Sequence, residues 1–148
     1  MLESPVLVLG AGAWGTALSI QLARRPAAAG VWLWARDPDQ ALSCASSREN
    51  ARYLPGHRLP PGLQVTGDLK AALVGWDQAA RRQPGGLLIL ASPVAGLEAL
   101  SRAVAQQLPQ PPQGSGLLWL SKGVTQRADG SFAWPSDLVG GALATWPM

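Results

Sequence analysis

The sequence predicts an α/β protein: one domain built on a doubly wound, mostly parallel sheet. Three observations predict it. The runs Val6-Leu7-Val8-Leu9, Leu87-Leu88-Ile89-Leu90 and Leu117-Leu118-Trp119-Leu120 are apolar at every position, as strands covered on both faces must be. Segments with helical spacing lie between such runs, and glycine and proline clusters punctuate the changeovers. Strand and helix in alternation give a parallel sheet with helices on its faces. A chain of 148 residues fits one domain, and 47% apolar against 14% charged residues is the composition of a packed core.

The first strand, Val6 to Leu9, runs straight into Gly10-Ala11-Gly12-Ala13-Trp14-Gly15. A helix follows from Ala13 to Arg24, with Ala17, Leu18 and Leu22 at helical spacing, and it stops at Arg25-Pro26 because proline cannot continue the ladder. After a loop from Pro26 to Gly30, Val31-Trp32-Leu33-Trp34-Ala35 reads as the second strand. Asp37 then has the place of an N-cap before a helix opening with Pro38. The stretch from Ser47 to Gly62 holds Pro55-Gly56 and Pro60-Pro61-Gly62 and reads as an irregular loop forming the wall of a site. Gln64-Val65-Thr66 is a short strand leading to a helix capped by Asp68. Beyond the strand at Leu87 to Leu90, the residues Leu97, Leu100, Val104 and Leu108 line one helical face before the strand at Leu117 to Leu120. From Gly123 the periodicity weakens. The expected division is therefore a dinucleotide-binding unit over 1–122 and an irregular C-terminal tail over 123–148.

Charge and cysteine content exclude several classes. Lys+Arg 12 against Asp+Glu 9 gives a formal charge of +3, spread over scattered arginines rather than a basic tract, so no nucleic-acid groove is indicated. The single cysteine, Cys44, can form neither an internal disulfide nor a metal clip; it reads as a helix-packing residue in a cytoplasmic protein. His57 stands in the proline-rich loop with no second histidine or cysteine nearby, so no metal site is expected. Met1-Leu2-Glu3-Ser4-Pro5 lacks the positive start of a secretory signal, and no apolar run reaches the roughly 20 residues of a membrane span.

The chemistry is expected at the glycines. A bare Gly-x-Gly-x-x-Gly is weak evidence, but here a buried strand leads in and a helix leads out. That context places Gly10 at the tight turn, Gly12 under a pyrophosphate and Gly15 against the neighbouring strand, with unpaired helix N–H groups facing the phosphates of NAD or NADP. This is a Rossmann-type unit. In such a unit an acid at the end of the second strand suits NAD, and an arginine accommodates the 2′-phosphate of NADP. Arg36 stands there; the competing reading is a surface arginine paired with Asp37 or Asp39. Ser92-Pro93 and Ser121-Lys122 follow two further strands and should line the nicotinamide end. Lys122 suits a substrate phosphate or is a solvated lysine, and position alone leaves both open. Trp14 either closes over the cofactor or packs on the sheet, and the remaining tryptophans read as structural.

Taken together, Gly10-Ala-Gly-Ala-Trp-Gly-Thr-Ala17, Leu33-Trp-Ala-Arg36, Arg48-Glu-Asn-Ala-Arg-Tyr-Leu-Pro-Gly56 and Ser121-Lys-Gly123 resemble the N-terminal cofactor domain of bacterial-type NAD(P)-dependent glycerol-3-phosphate dehydrogenase. The resemblance covers roughly residues 5 to 123. It implies hydride exchange between NAD(P)H and dihydroxyacetone phosphate, giving sn-glycerol 3-phosphate for phospholipid synthesis. It also implies that Ala13, Trp14, Arg36 and Tyr53 contact the cofactor and that Lys122 touches cofactor and substrate. Members of that family are considerably longer and continue into an acid/base lysine and a helical substrate domain. Neither is found here, so no catalytic residue is assigned, and a fragment that binds cofactor without turnover is expected. The alternatives are another Rossmann reductase, such as a ketopantoate reductase, and a non-catalytic NAD(P)-binding module. Apolar surface left uncovered by an absent domain would favour a homo-oligomer.

Overall fold

The computed structural model describes residues 4–25, 29–83 and 85–148. The expectations for Met1-Leu2-Glu3, for Pro26 and for the middle of the loop after it lie outside those residues. Five strands form one parallel sheet: β1 (Val6–Leu9), β2 (Val31–Trp34), β5 (Leu63–Thr66), β6 (Leu87–Leu90) and β7 (Gly116–Trp119), in the spatial order β5-β2-β1-β6-β7. The pairing is in strict register, Val6 beside Val31 on one side and beside Leu87 on the other. The chain fills the β2 and β5 side first and then crosses back to β6 and β7. The switch of direction falls between β1 and β6.

The central strands β1 and β6 are apolar throughout because both their faces are covered, whereas the reading of Leu117 to Leu120 as equally covered is corrected: β7 lies at the sheet edge, with Leu118 44% and Leu120 39% exposed. Side chains alternate between sheet faces, and here each face meets its own core. Leu7, Leu9, Leu88 and Leu90 join one buried cluster with α3 (Leu69–Arg82), α4 (Val94–Gln107) and α5 (Pro135–Ala142). Val6, Val8, Leu33 and Ile89 join the other with α1 (Ala13–Ala23) and α2 (Pro38–Ser47). The caps follow the sequence: the Asp37 carboxylate accepts from Asp39 N with Pro38 in the first turn of α2, and the Asp68 carboxylate accepts from Ala71 N in α3. The α4 face is as read, with Leu97, Leu100, Val104 and Leu108 all buried.

Three further expectations are corrected. The buried face of α1 is made of Gly15, Thr16, Ser19, Ile20 and Leu22, while Ala17 and Leu18 are only half-buried. Small and hydroxyl-bearing residues face inward because the helix starts hard against the glycine turn, and the Ser19 hydroxyl satisfies itself by donating to the Gly15 carbonyl at 2.7 Å. Next, the loop from Ser47 to Gly62 is not irregular. It holds a two-stranded antiparallel ribbon, β3 (Glu49–Asn50) and β4 (Leu54–Arg58), and the Gly56 N–H donates to the Glu49 carboxylate at 2.8 Å. Pro55 is tolerated inside a strand here because only one edge of β4 is paired.

Last, the segment 123–148 is not an irregular tail. It carries the small ribbon β8 (Thr125–Gln126) and β9 (Phe132–Ala133), then α5, whose Leu138 and Val139 are buried with Leu143 and Trp146 beyond it. Trp146 stacks on Trp76 of α3 with ring centroids 5.9 Å apart and an interplanar angle of 18°. An eight-residue helix with Gly140-Gly141 carries too little periodicity to be read, yet its docking on α4 joins it to the same core as 4–122. The tryptophans divide accordingly: Trp76 and Trp146 are core, whereas Trp134, at 61% exposure, is not structural in that sense.

Candidate functional site

The glycine turn joins β1 to α1, and each glycine has a different reason to lack a side chain. Gly10 sits at φ +131°, and a Cβ there would lie 2.6 Å from the Ala91 carbonyl oxygen at the end of β6. A Cβ on Gly15 would lie 1.9 Å from the Gly10 carbonyl oxygen, so this glycine lets the helix begin pressed onto the turn. Around a Cβ on Gly12 nothing comes within 4 Å. Two glycines are thus demanded by the protein's own backbone, and the third faces open space that a ligand can use. Gly12 is also the N-cap of α1, which has no side-chain cap and no acid in its first turn. Its leading N–H groups are left for an anion, and the helix dipole favours one there.

The other residues read from the sequence gather along the same carboxyl edge of the sheet. Gly10 N–H donates to the Trp34 carbonyl at 3.0 Å, which holds the end of β2, and so the approach to Arg36, beside the turn. Arg36 is exposed and joins none of the ion pairs among the described residues; Asp37 pairs instead with Arg52, at 3.5 Å. The competing reading of Arg36 as a partner of Asp37 or Asp39 thus finds no contact. Trp14 is 81% exposed, which removes the reading in which it packs on the sheet. Tyr53, at the turn of the ribbon, is exposed as well, with the Arg52 guanidinium 5.1 Å from its ring centroid. Across the switch point, Pro93 caps the start of α4 and the Ser121 hydroxyl donates to the Ser92 carbonyl at 2.6 Å, tying the end of β7 to the end of β6. Lys122, the next residue, is exposed.

Sequence reasoning missed the residues that hold the turn from beneath. Asn50 is fully buried; its amide donates to the Ala11 carbonyl at 2.9 Å and to the Thr16 hydroxyl at 2.8 Å. Gln40 donates to the same Ala11 carbonyl at 2.8 Å. For Asn50 the signal was present, since it opens the Asn-x-x-Tyr-Leu-Pro-Gly segment; nothing in the sequence marks Gln40.

A cleft of about 600 Å³ lies elsewhere, lined by Arg24, Arg48, Arg58, Leu59, Pro60 and Pro61. Arg24 caps the far end of the 11-residue α1, about 16 Å from the glycine turn at 1.5 Å per residue. That end of a helix repels anions, and Arg48 already donates to the Pro60 and Leu63 carbonyls. The glycine turn is the better site. His57 lies in β4, and among the described residues no group of three or more His, Cys, Asp or Glu side chains could hold a metal ion.

A family model described as the N-terminus of NAD-dependent glycerol-3-phosphate dehydrogenase matches residues 5–143. The chain belongs to this family. The match runs through α5, past the stretch whose motifs carried the resemblance, and it decides against a ketopantoate reductase. Among relatives, the glycerol-3-phosphate dehydrogenase [NAD(P)+] of Methylibium petroleiphilum is 47% identical over 119 residues, covering 80% of this chain and 31% of its own. That of Paucimonas lemoignei is 46% identical over 143 residues, covering 95% and 37%. The crystal structure of glycerol-3-phosphate dehydrogenase from Coxiella burnetii superposes with a TM-score of 0.73 at 27% identity, covering 95% of this chain and 38% of that one. The domain is accordingly of the NAD(P)-binding kind. The chain spans about a third of the length of the curated relatives it matches. Among the described residues no helix is long and apolar enough to cross a membrane.

Proposed function

We propose that this chain is the cofactor-binding part of a cytoplasmic oxidoreductase that interconverts sn-glycerol 3-phosphate and dihydroxyacetone phosphate. The observation that carries it is the contrast among the three glycines: open space at Gly12, close backbone contact at Gly10 and Gly15. A pyrophosphate fits that space and those free N–H groups. In this reading Gly10, Gly12, Ala13, Trp14 and Gly15 form the phosphate cradle, with Trp14 free to lie over the bound nucleotide. Arg36 takes the 2′-phosphate of NADP, and Tyr53 flanks the adenosine side. Ser92 and Pro93 border the nicotinamide end. Lys122 presents a cation to both cofactor and substrate phosphate, where a charge-assisted contact orients the ketone for transfer. When bound, the nicotinamide supplies the hydride; the residues of this chain bind and orient.

The test is a tryptophan-fluorescence titration with NADPH and NADH, on the wild-type chain and on Arg36→Ala. Removing a charge-assisted hydrogen bond costs about 1.5–3 kcal/mol, so NADPH should bind roughly 10- to 150-fold more weakly to the variant while NADH changes little. Equal weakening of both nucleotides removes Arg36 from the 2′-phosphate. Failure of both to bind a wild-type chain that circular dichroism shows to be folded refutes the function.

A further inference from the structure

We propose that Asn50 is a positioning residue that sets the orientation of the cofactor-binding turn, aided by Gln40. The Ala11 carbonyl oxygen can only accept, and it accepts from both: Asn50 Nδ2 at 2.9 Å and Gln40 Nε2 at 2.8 Å. The second Asn50 N–H is used on the Thr16 hydroxyl at 2.8 Å, inside α1, so one buried amide pins the turn and the helix that follows it. Asn50 and Thr16 are both fully buried. The described chain has no cis peptide bond, and in a trans peptide the C=O and the next N–H point in opposite directions. Holding the Ala11 oxygen inward therefore turns the Gly12 N–H outward, toward the space where a Cβ on Gly12 would meet nothing. Released, this peptide could rotate and withdraw its donor from an anion.

The same residue reaches the other wall of the site. The Asn50 backbone carbonyl accepts from the Tyr53 N–H at 3.3 Å, which fixes the ribbon turn carrying Tyr53 and the Arg52 that pairs with Asp37. Asn50 thus joins the phosphate cradle to the ribbon beside it, so that the two keep one relative geometry. It acts through the Ala11 carbonyl, the Thr16 hydroxyl and the Tyr53 N–H, and it touches no part of the cofactor in this proposal.

The test uses Asn50→Asp, which keeps the shape, removes both donors and sets a carboxylate oxygen against the Ala11 oxygen. Two readouts are taken. In the ligand-free chain, amide NMR should show the Gly12 and Ala13 resonances displaced while those of Leu7 and Val8 in β1 stay in place. In titrations, NADPH should bind about tenfold more weakly, as expected for a lost donor pair, whereas 2′-AMP, which has no pyrophosphate, should change less than about twofold. A merely structural loss would displace the β1 amides and weaken both ligands alike. The binding arm rests on the function proposed above, and the two failures separate. Wild-type chain that binds no NADPH sinks that function and leaves the amide readout to judge Asn50; unchanged Gly12 and Ala13 resonances overturn the positioning role in either case. Should Asn50→Asp not fold, Gln40→Ala removes one donor from a half-buried site. It is expected to move the same two amides with about a threefold loss of NADPH affinity, and no movement overturns the proposal.

Discussion

Replacing Gly12 and Gly15 separately by alanine pulls apart what the turn does for the ligand from what it does for the fold. The two substitutions add the same methyl group to the same helix start, yet its surroundings differ completely. At Gly15 the new carbon would sit 1.9 Å from the Gly10 carbonyl oxygen and 3.2 Å from the Ala91 side chain. An ordinary carbon–oxygen contact is above 3 Å, so the helix would have to retreat by more than an ångström from a strand whose neighbours are fully buried. Overpacking of that kind costs about 3 kcal/mol, and for a domain of this size that is roughly 6–12 °C in Tm. At Gly12 the backbone, φ −72° and ψ −176°, is one that any residue adopts, and the added carbon meets nothing within 4 Å. Alanine is a poorer N-cap than glycine, but it restricts the unfolded chain, and the two effects of about 0.5–1 kcal/mol offset. Thermal unfolding followed by circular dichroism should show Gly15→Ala markedly destabilised and Gly12→Ala within about 2 °C of wild type. NADPH titration at a temperature where both are folded should show Gly12→Ala weakened by about tenfold or more, because the methyl occupies space assigned to the pyrophosphate. Wild-type affinity in Gly12→Ala would refute that assignment, and wild-type stability in Gly15→Ala would refute the packing argument beneath it.

Trp146→Ala should cost about 3–5 kcal/mol, the range for a large aromatic removed from a core, since it strips the stacked partner from Trp76. Trp146→Phe should cost much less, because it also removes a buried indole N–H that has no partner among the described residues; urea unfolding of both checks it, and an undisturbed Trp146→Ala would mean that the C-terminal segment does not dock. Cys44 is buried in α2, and burial pushes its thiol above the ordinary range. It should resist thiol reagents until the chain unfolds, and reaction at the rate of a free thiol would contradict this. The linked effect on stability has a definite sign. Above about pH 8.5 the unfolded thiol ionises first, so its contribution is complete below that pH and is lost as pH rises toward the folded value. In Cys44→Ala that part of the alkaline decline should vanish.

The central strands β1 and β6 were legible because burial on both faces leaves nothing but apolar residues in them, and Asp37 and Asp68 were legible as caps because a short acceptor just before an apolar period satisfies the first free N–H groups of a helix. The ribbon of β3 and β4 was not. Most of β4 is exposed, so no alternation marks it, and Pro55-Gly56 reads as a break although it lies within the strand. The C-terminal segment failed for a related reason: the burial of Trp146 depends on Trp76, seventy residues earlier in the chain, and nothing local announces it. Asn50 stands within a motif whose sequence shows no task for it, because asparagine is mostly a surface residue. Its burial follows from two acceptors distant in the chain, the Ala11 carbonyl and the Thr16 hydroxyl, which satisfy its amide. On the side of the site, the glycines, Arg36, Trp14, Ser92 and Lys122 were found at the strand ends the sequence suggested, whereas their support was invisible.

That division explains why a bare Gly-x-Gly-x-x-Gly says so little. The motif supplies permission for close approach, but the approach itself comes from distant segments. The Ala91 carbonyl just past β6 closes on Gly10, the Trp34 carbonyl of β2 accepts from Gly10 N–H, and Gln40 of α2 with Asn50 of β3 holds the Ala11 oxygen. Four segments between residues 34 and 91 therefore shape a turn of six residues. With the Ala11 oxygen held by two donors and open space at Gly12, the Gly12 N–H is turned to the side opposite that oxygen. A sequence that kept the glycines but lost the buried amide at position 50 would keep the fold of the strand and helix, and would leave the Ala11 oxygen held by Gln40 alone.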